Sequence, residues 1–192
     1  MQAVTPPVPD RDSIHAEMEW ARADLAHLLT IPGSDELGRG SAGTRWTNEQ
    51  LLFHMVFGYM VVRALLPLVR LVSRLPRPFG AAFAATLDLA ARPFHAGNYL
   101  GTCAAALVFN RRRMLAQLDR TLASLHRSLG ARSDAELQRG MPFPQRWDPF
   151  FMSWMTLAEV YHYATQHYEF HRAQLSFTVP APQDPAPQDP AP

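Results

Sequence analysis

The stretch RWTNEQLLFHMVFGYMVVRALLPLVRLVS, residues 45–73, constrains the fold more than any other. Thr47 and Gln50 have the spacing of a capping box, and Trp46 and Leu51 stand where a hydrophobic staple would close. Together they predict a helix that opens at Thr47 and runs to about Ser73, bent at Pro67. The uncharged run from Gln50 to Val62 is bounded by Glu49 and Arg63 and is too short to span a bilayer. A helix this apolar has to be covered, and the rest of the chain is read for what covers it.

Three further amphipathic helices emerge. Ile14, Met18, Ala21, Leu25 and Leu28 recur at three- and four-residue spacing and make one apolar stripe, stopped by IPGSDELGRG. Leu100, Ala104, Leu107, Arg111, Leu118, Leu122 and Leu125 predict a single third helix over roughly 100–129. Thr156 and Glu159 form a second capping box, so a fourth helix starts near Leu157, or up to two turns earlier at Asp148-Pro149, and ends near Phe177. No segment reads as a strand. The expectation is an all-α four-helix bundle over residues 10–178. An insertion at 75–98, bracketed by prolines 76, 78 and 93, falls between its second and third helices and could cover a pocket. Residues 1–9 read as a flexible arm, and 179–192, with APQDP repeated, as a disordered proline-rich tail.

Composition narrows the function classes. The formal net charge is +1, and the one basic cluster, NRRR at 110–113, is too short for a nucleic-acid arm. The lone Cys103 excludes an internal disulfide and a cysteine-based zinc cluster. The N-terminus has no apolar secretory core, and HAGNYLGT would not stay in lipid as a regular helix. The expectation is a cytoplasmic protein with no stable membrane insertion and no nucleic-acid partner.

The histidines carry the chemistry. At about 100° per residue, His167 and His171 lie on nearly one azimuth, in line with Val160 and Gln174. His162 points almost the opposite way. His54 aligns with Val61, Leu65 and Leu68 on the stripe of the second helix, whereas His15 lies on a charged face, His27 and His126 lie at the margins of their stripes and His95 falls in the insertion. Three imidazoles turned into a bundle cost free energy unless their nitrogens are satisfied. Hydrogen bonds to neighbours could satisfy each one separately; a single metal would satisfy all three and leave positions open, as in a catalytic site. Zinc is the first choice, with Ni, Fe, Mn or Co as further nitrogen-accepting ions.

RWTNEQLLFHMVFG and HYEFHRAQL, the latter closing on His-x-x-x-His-Arg-x-Gln, resemble the DinB/YfiT-like superfamily of metal-dependent enzymes, in order and spacing over about residues 10–177. That resemblance implies a four-helix bundle holding a metal on His54, His167 and His171. It also implies kinship with transferases and isomerases that use bacillithiol or mycothiol. The insertion and the tail depart from a minimal member.

The leading expectation is therefore a metal-dependent S-transferase that activates a low-molecular-weight thiol against an electrophilic small molecule. Arg111, on the third-helix stripe, could grip a substrate carboxylate, or snorkel outward and pair with an acidic neighbour. Tyr163 could line the pocket or simply pack, and Gln174 could orient a ligand histidine or cap polar space. A metal-dependent hydrolase is the alternative, disfavoured because no Asp or Glu falls on the seam beside His167. A non-catalytic binding or assembly module is the third reading. A homodimer is plausible under all three.

Overall fold

The computed structural model describes residues 9–31 and 33–177; the expected N-terminal arm and proline-rich tail lie almost wholly outside them. Four long helices, α1 (Arg11–Leu28), α3 (Asn48–Val72), α6 (Arg111–Gly130) and α8 (Leu157–Arg172), close a ring in which α1 packs on α6, α6 on α3, α3 on α8 and α8 on α1. The expected bundle is therefore present. Between them run α2 (Ser34–Gly38), α4 (Arg77–Leu89), α5 (Ala91–Val108) and α7 (Asp134–Leu137).

The helix starts follow from side-chain oxygens that satisfy orphan N–H groups. Asp10 accepts from the Ser13 amide at 2.7 Å, and the Thr47/Gln50 and Thr156/Glu159 boxes both close. Each bundle helix then buries one stripe. All five residues of the first predicted stripe are buried, and Leu118, Leu122 and Leu125 of α6 are at most 1% exposed. Truncating one such leucine to alanine costs about 2–5 kcal/mol. α3 is, by length and composition, apolar enough to cross a membrane, but here it is the helix that α5, α6 and α8 all pack against. It continues through Pro67, which lies on an exposed face.

Three expectations are corrected. The single helix over 100–129 is two: Phe109 (ψ 61°) and Asn110 (ψ 176°) leave helical geometry, and Asn110 restarts α6 by accepting from the amides of Arg113 and Met114. The stripe fails at its front end because α5 buries small residues, Thr102 and Ala106, while Leu100 and Leu107 are exposed. The insertion is thus a helical pair, α4 and α5, and Pro93 falls in the first turn of α5, where its missing N–H is no loss. Second, a strand pair exists. β1 (Gly140–Pro142) and β2 (Trp154–Thr156) run antiparallel with Met141 opposite Met155. Third, α8 starts at Leu157 with no earlier turns. Asp148-Pro149 belongs to a loop, 143–153, whose two ends the strand pair pins together at the head of α8.

That loop folds against the insertion. Trp147 Nε1 donates to the Leu87 carbonyl at 2.7 Å, the Arg146 amide donates to Asp88 Oδ1 at 3.1 Å, and His95 Nε2 donates to the Arg146 carbonyl at 3.0 Å. Phe94 stacks on Trp147 with ring centroids 3.8 Å apart. Loop and insertion together form the outer wall of the site described next.

Candidate metal centre

α3 contributes His54, and α8 contributes His167 and His171, one turn apart. Because α3 and α8 pack together, the three rings converge, with centroids 4.5–4.9 Å from one another. One nitrogen from each lies within 4.8 Å of the others. A tetrahedral zinc ion at ordinary Zn–N distances holds its nitrogens about 3.4 Å apart, so the set has to close by no more than about 1.4 Å.

The rings are oriented by bonds to their outer nitrogens. His54 Nδ1 lies 3.0 Å from Thr102 Oγ1 of α5, and His171 Nδ1 donates to Gln174 Oε1 at 2.8 Å. A histidine that donates from Nδ1 presents the Nε2 lone pair, the arrangement that metal-binding histidines use. Thr102 lies off the leucine spacing that predicts a single third helix, and α5 buries it in place of those leucines. Trp46 covers His54 with centroids 4.2 Å apart and meets His171 edge-on.

His167 is the innermost of the three. Its Nδ1 is buried without a hydrogen-bond partner among the described residues, and the ring lies against Gly58. A Cβ on Gly58 would stand 2.5 Å from that nitrogen, so only glycine admits the ring. Gly58 is four residues after His54, hence on its face; a glycine inside an otherwise strong helix was the available signal.

All three imidazoles are held neutral. Burial first, then the neighbouring His171, pushes the His54 pKa down to about 3. Burial takes His167 well below the ordinary value, with His54 and His171 adding to it, and burial lowers His171. Neutral rings with free lone pairs are what a cation requires. An orphaned buried nitrogen, two outward bonds that orient rings, the one to Gln174 also fixing the tautomer of His171, and a nitrogen-only donor set make these residues fit a divalent transition ion.

The histidines form the floor of a cavity of about 230 Å³. His54 shares that cavity wall with Val61 and Leu65, so the line expected as the core stripe of α3 is its pocket face; Leu65 and Leu68 are 37% and 39% exposed. The core stripe runs instead through Leu52, Met55, Tyr59, Val62 and Leu66. Loop 143–153 and α5 complete the wall with Phe94, His95, Asn98, Trp147, Asp148 and Phe150.

Two expected residues reach this site and one does not. Tyr163 is buried in the wall, and its hydroxyl donates to Asp148 Oδ2 at 2.9 Å. Gln174 bonds His171 as above. Arg111 is not among the residues lining the cavity: the break before α6 places it in the first turn of that helix, where Nε donates to the Leu29 carbonyl at the end of α1. Asp148 is the residue the sequence concealed. The absence of a carboxylate from the α8 seam is real, but a loop brings one into the pocket, and burial raises its pKa against the pull of bonds from the Phe150 amide and Tyr163. His162 is half-buried and pairs with Glu17 at 2.8 Å, away from the cluster.

A ring of four helices, with three histidines converged where α3 and α8 meet the pocket, defines a bundle protein with a candidate metal centre at one pocket floor. The chain belongs to the DinB superfamily, whose family profile matches residues 17–175. No curated protein and no solved structure matches it.

Proposed function

We propose that this protein is a metal-dependent enzyme that joins a low-molecular-weight thiol to an electrophilic small molecule. The observation that carries the proposal is the placement of three neutral imidazoles at the floor of an aromatic pocket, one of them with an unsatisfied buried nitrogen. A divalent ion held there supplies Lewis acidity that favours the conjugate base of a thiol or water reaching it. The protein's own groups do the rest. Thr102 and Gln174 fix two of the rings, and Trp46, Phe57 and Phe150 keep the pocket poor in water. In the transfer the S–H bond breaks, an S–C bond forms, and the displaced group leaves with the electron pair of its bond to that carbon. Asp148 is positioned in the same pocket to hold the thiol proton until the leaving group or solvent takes it.

Asp148 equally supports a second reading, hydrolysis, in which it takes the proton of water. The deciding experiment is metal analysis of protein purified without a histidine tag, with Ala substitutions at His54, His167 and His171, followed by mass spectrometry of reactions with a panel of thiols and electrophiles. Near-stoichiometric metal in wild type, lost in each variant, with thioether products, is the expected result. Water-only cleavage selects hydrolysis. Equal metal-free behaviour of wild type and variants leaves a binding module and refutes both enzyme readings.

A further inference from the structure

The walls of the cavity carry more information than its floor. Apart from the three histidines, the polar side-chain groups of the described residues lining it are Asp148, His95, Asn98, the Tyr163 hydroxyl and the indole N–H groups of Trp46 and Trp147, of which Trp46 Nε1 is buried without a partner; the rest of the lining is aliphatic, glycine, proline or aromatic. No arginine lines it, and the chain has no lysine. Arg45, next in sequence to the wall residue Trp46, is occupied over the Tyr99 ring, 4.4 Å from its centroid. Asp148 is itself held: Oδ2 accepts from Tyr163, Oδ1 accepts from the Phe150 amide, and the flanking Trp147 is bonded and stacked onto the insertion.

A ligand anion entering here would meet a fixed carboxylate with no side-chain cation to offset it, in a site where charge is poorly screened. A ligand cation fares no better in the metal-loaded protein. There a dication on the histidines, the Asp148 carboxylate and one thiolate, its proton passed through Asp148 to solvent, would sum to no net charge before the acceptor arrives. The remaining wall offers ring faces and edges, which favour a planar apolar body. Size agrees: a cavity of about 150 Å³ holds benzene, and this one is about 230 Å³, room for one substituted ring.

We propose that the acceptor taken by this pocket is an uncharged, single-ring aromatic molecule, and that Asp148 is the residue that excludes anionic ones. The proposal rests on the thiol-transfer reading for the word acceptor only. The preference for an uncharged ring is a property of the wall and is measurable without turnover.

The test uses three matched probes, 4-nitrobenzyl alcohol, 4-nitrobenzoate and 4-nitrobenzyltrimethylammonium, read by quenching of Trp46 and Trp147 fluorescence, on chelator-stripped protein and on protein supplied with zinc and 2-mercaptoethanol. On stripped protein the alcohol is expected to bind about tenfold or more tighter than the benzoate, the order that a fixed like charge at close range imposes. Asp148→Asn should shrink that gap to about threefold or less, whereas Tyr163→Phe, which keeps the charge, should leave it. With zinc and thiol the alcohol should outbind both ions. A benzoate that matches the alcohol on stripped wild type overturns the proposal, as does an ammonium probe that leads on the zinc-supplied sample. If Asp148→Asn proves misfolded by circular dichroism, the wild-type and Tyr163→Phe gaps decide. Failure of the metal reading shows separately, as protein that retains no zinc while the stripped-sample preference stands.

Discussion

Replacing Gly58 by alanine tests the centre without touching a ligand. The added Cβ would lie 2.5 Å from His167 Nδ1, 3.1 Å from Cε1 and 3.3 Å from Cγ. Relief to ordinary contact, about 3.5 Å, requires the ring or the α3 backbone to move by about 1 Å. The α3 backbone is packed on four other helices, so the ring yields. Zn–N distances tolerate only about 0.2 Å, so a Cβ that holds the His167 ring about 1 Å off its place opposes the closure of up to about 1.4 Å that the set needs around one ion. Zinc affinity should fall at least as far as it does when an orienting partner is lost, about 10–100-fold.

In the metal-free protein two effects oppose each other. Overpacking costs about 1–3 kcal/mol, while Gly→Ala inside a helix returns about 1 kcal/mol. The net destabilisation is therefore small, and the difference between wild type and variant should show mainly when zinc is present. A hundredfold loss of affinity removes about 2.7 kcal/mol of zinc-linked stability, or roughly 5–11 °C of melting temperature for a chain of this size. Competition against a fluorescent chelator gives the affinity, and thermal melts with and without zinc give the linkage. A Gly58→Ala protein that binds zinc as wild type does, with the same melting shift, would refute the packing argument and the place of His167 in the site.

Three further outcomes follow from the same geometry. Thr102→Val and Gln174→Leu each remove the bond that fixes a ring, and each should weaken zinc binding about 10–100-fold while leaving helix content unchanged by circular dichroism. Acid should unfold the metal-free protein: the folded chain keeps His54 neutral down to about pH 3, the unfolded chain protonates it below about 6.5, so the unfolded state binds more protons and stability falls as pH drops through that window. His54 alone contributes at most about 5 kcal/mol of this loss, His167 adds to it in the same direction, and urea midpoints that stay level from pH 7 to pH 4 would contradict the assignment. Trp147→Ala removes both the bond to Leu87 and the stack on Phe94, so proteolysis within 143–153 should accelerate severalfold; an unchanged cleavage rate would show that the loop is held by other contacts.

What the sequence revealed and what it hid divide along a physical line. His167 and His171 were legible because one helix carries both and an angle of 100° per residue fixes their relation. His54 was found on a correct azimuth but for a partly mistaken reason. Hydrophobic periodicity does not distinguish the wall of an apolar pocket from the interior of a core, since both exclude charge, and so Leu65 and Val61 marked the cavity rather than the centre of the bundle. Arg111 was misplaced by a break that apolar spacing does not register: Leu107 and Leu118 keep helical phase across Phe109 and Asn110, although the backbone does not.

Asp148 marks the other side of that line. It is brought to the histidines by a loop with no period of its own, whose course depends on a three-residue strand pair at its ends and on three hydrogen bonds and a ring stack to residues 50 or more positions earlier in the chain. None of those partners is implied by local spacing. The consequence is a separable construction. The bundle places the nitrogen donors, whereas the loop and the insertion place the carboxylate and much of the aromatic wall. Changes confined to residues 75–98 or 143–153 should therefore alter which molecule enters while the histidines stay converged, and changes on α3 or α8 should do the reverse. A loop variant that loses zinc as fully as His54→Ala would show that the wall and the floor are one cooperative unit instead.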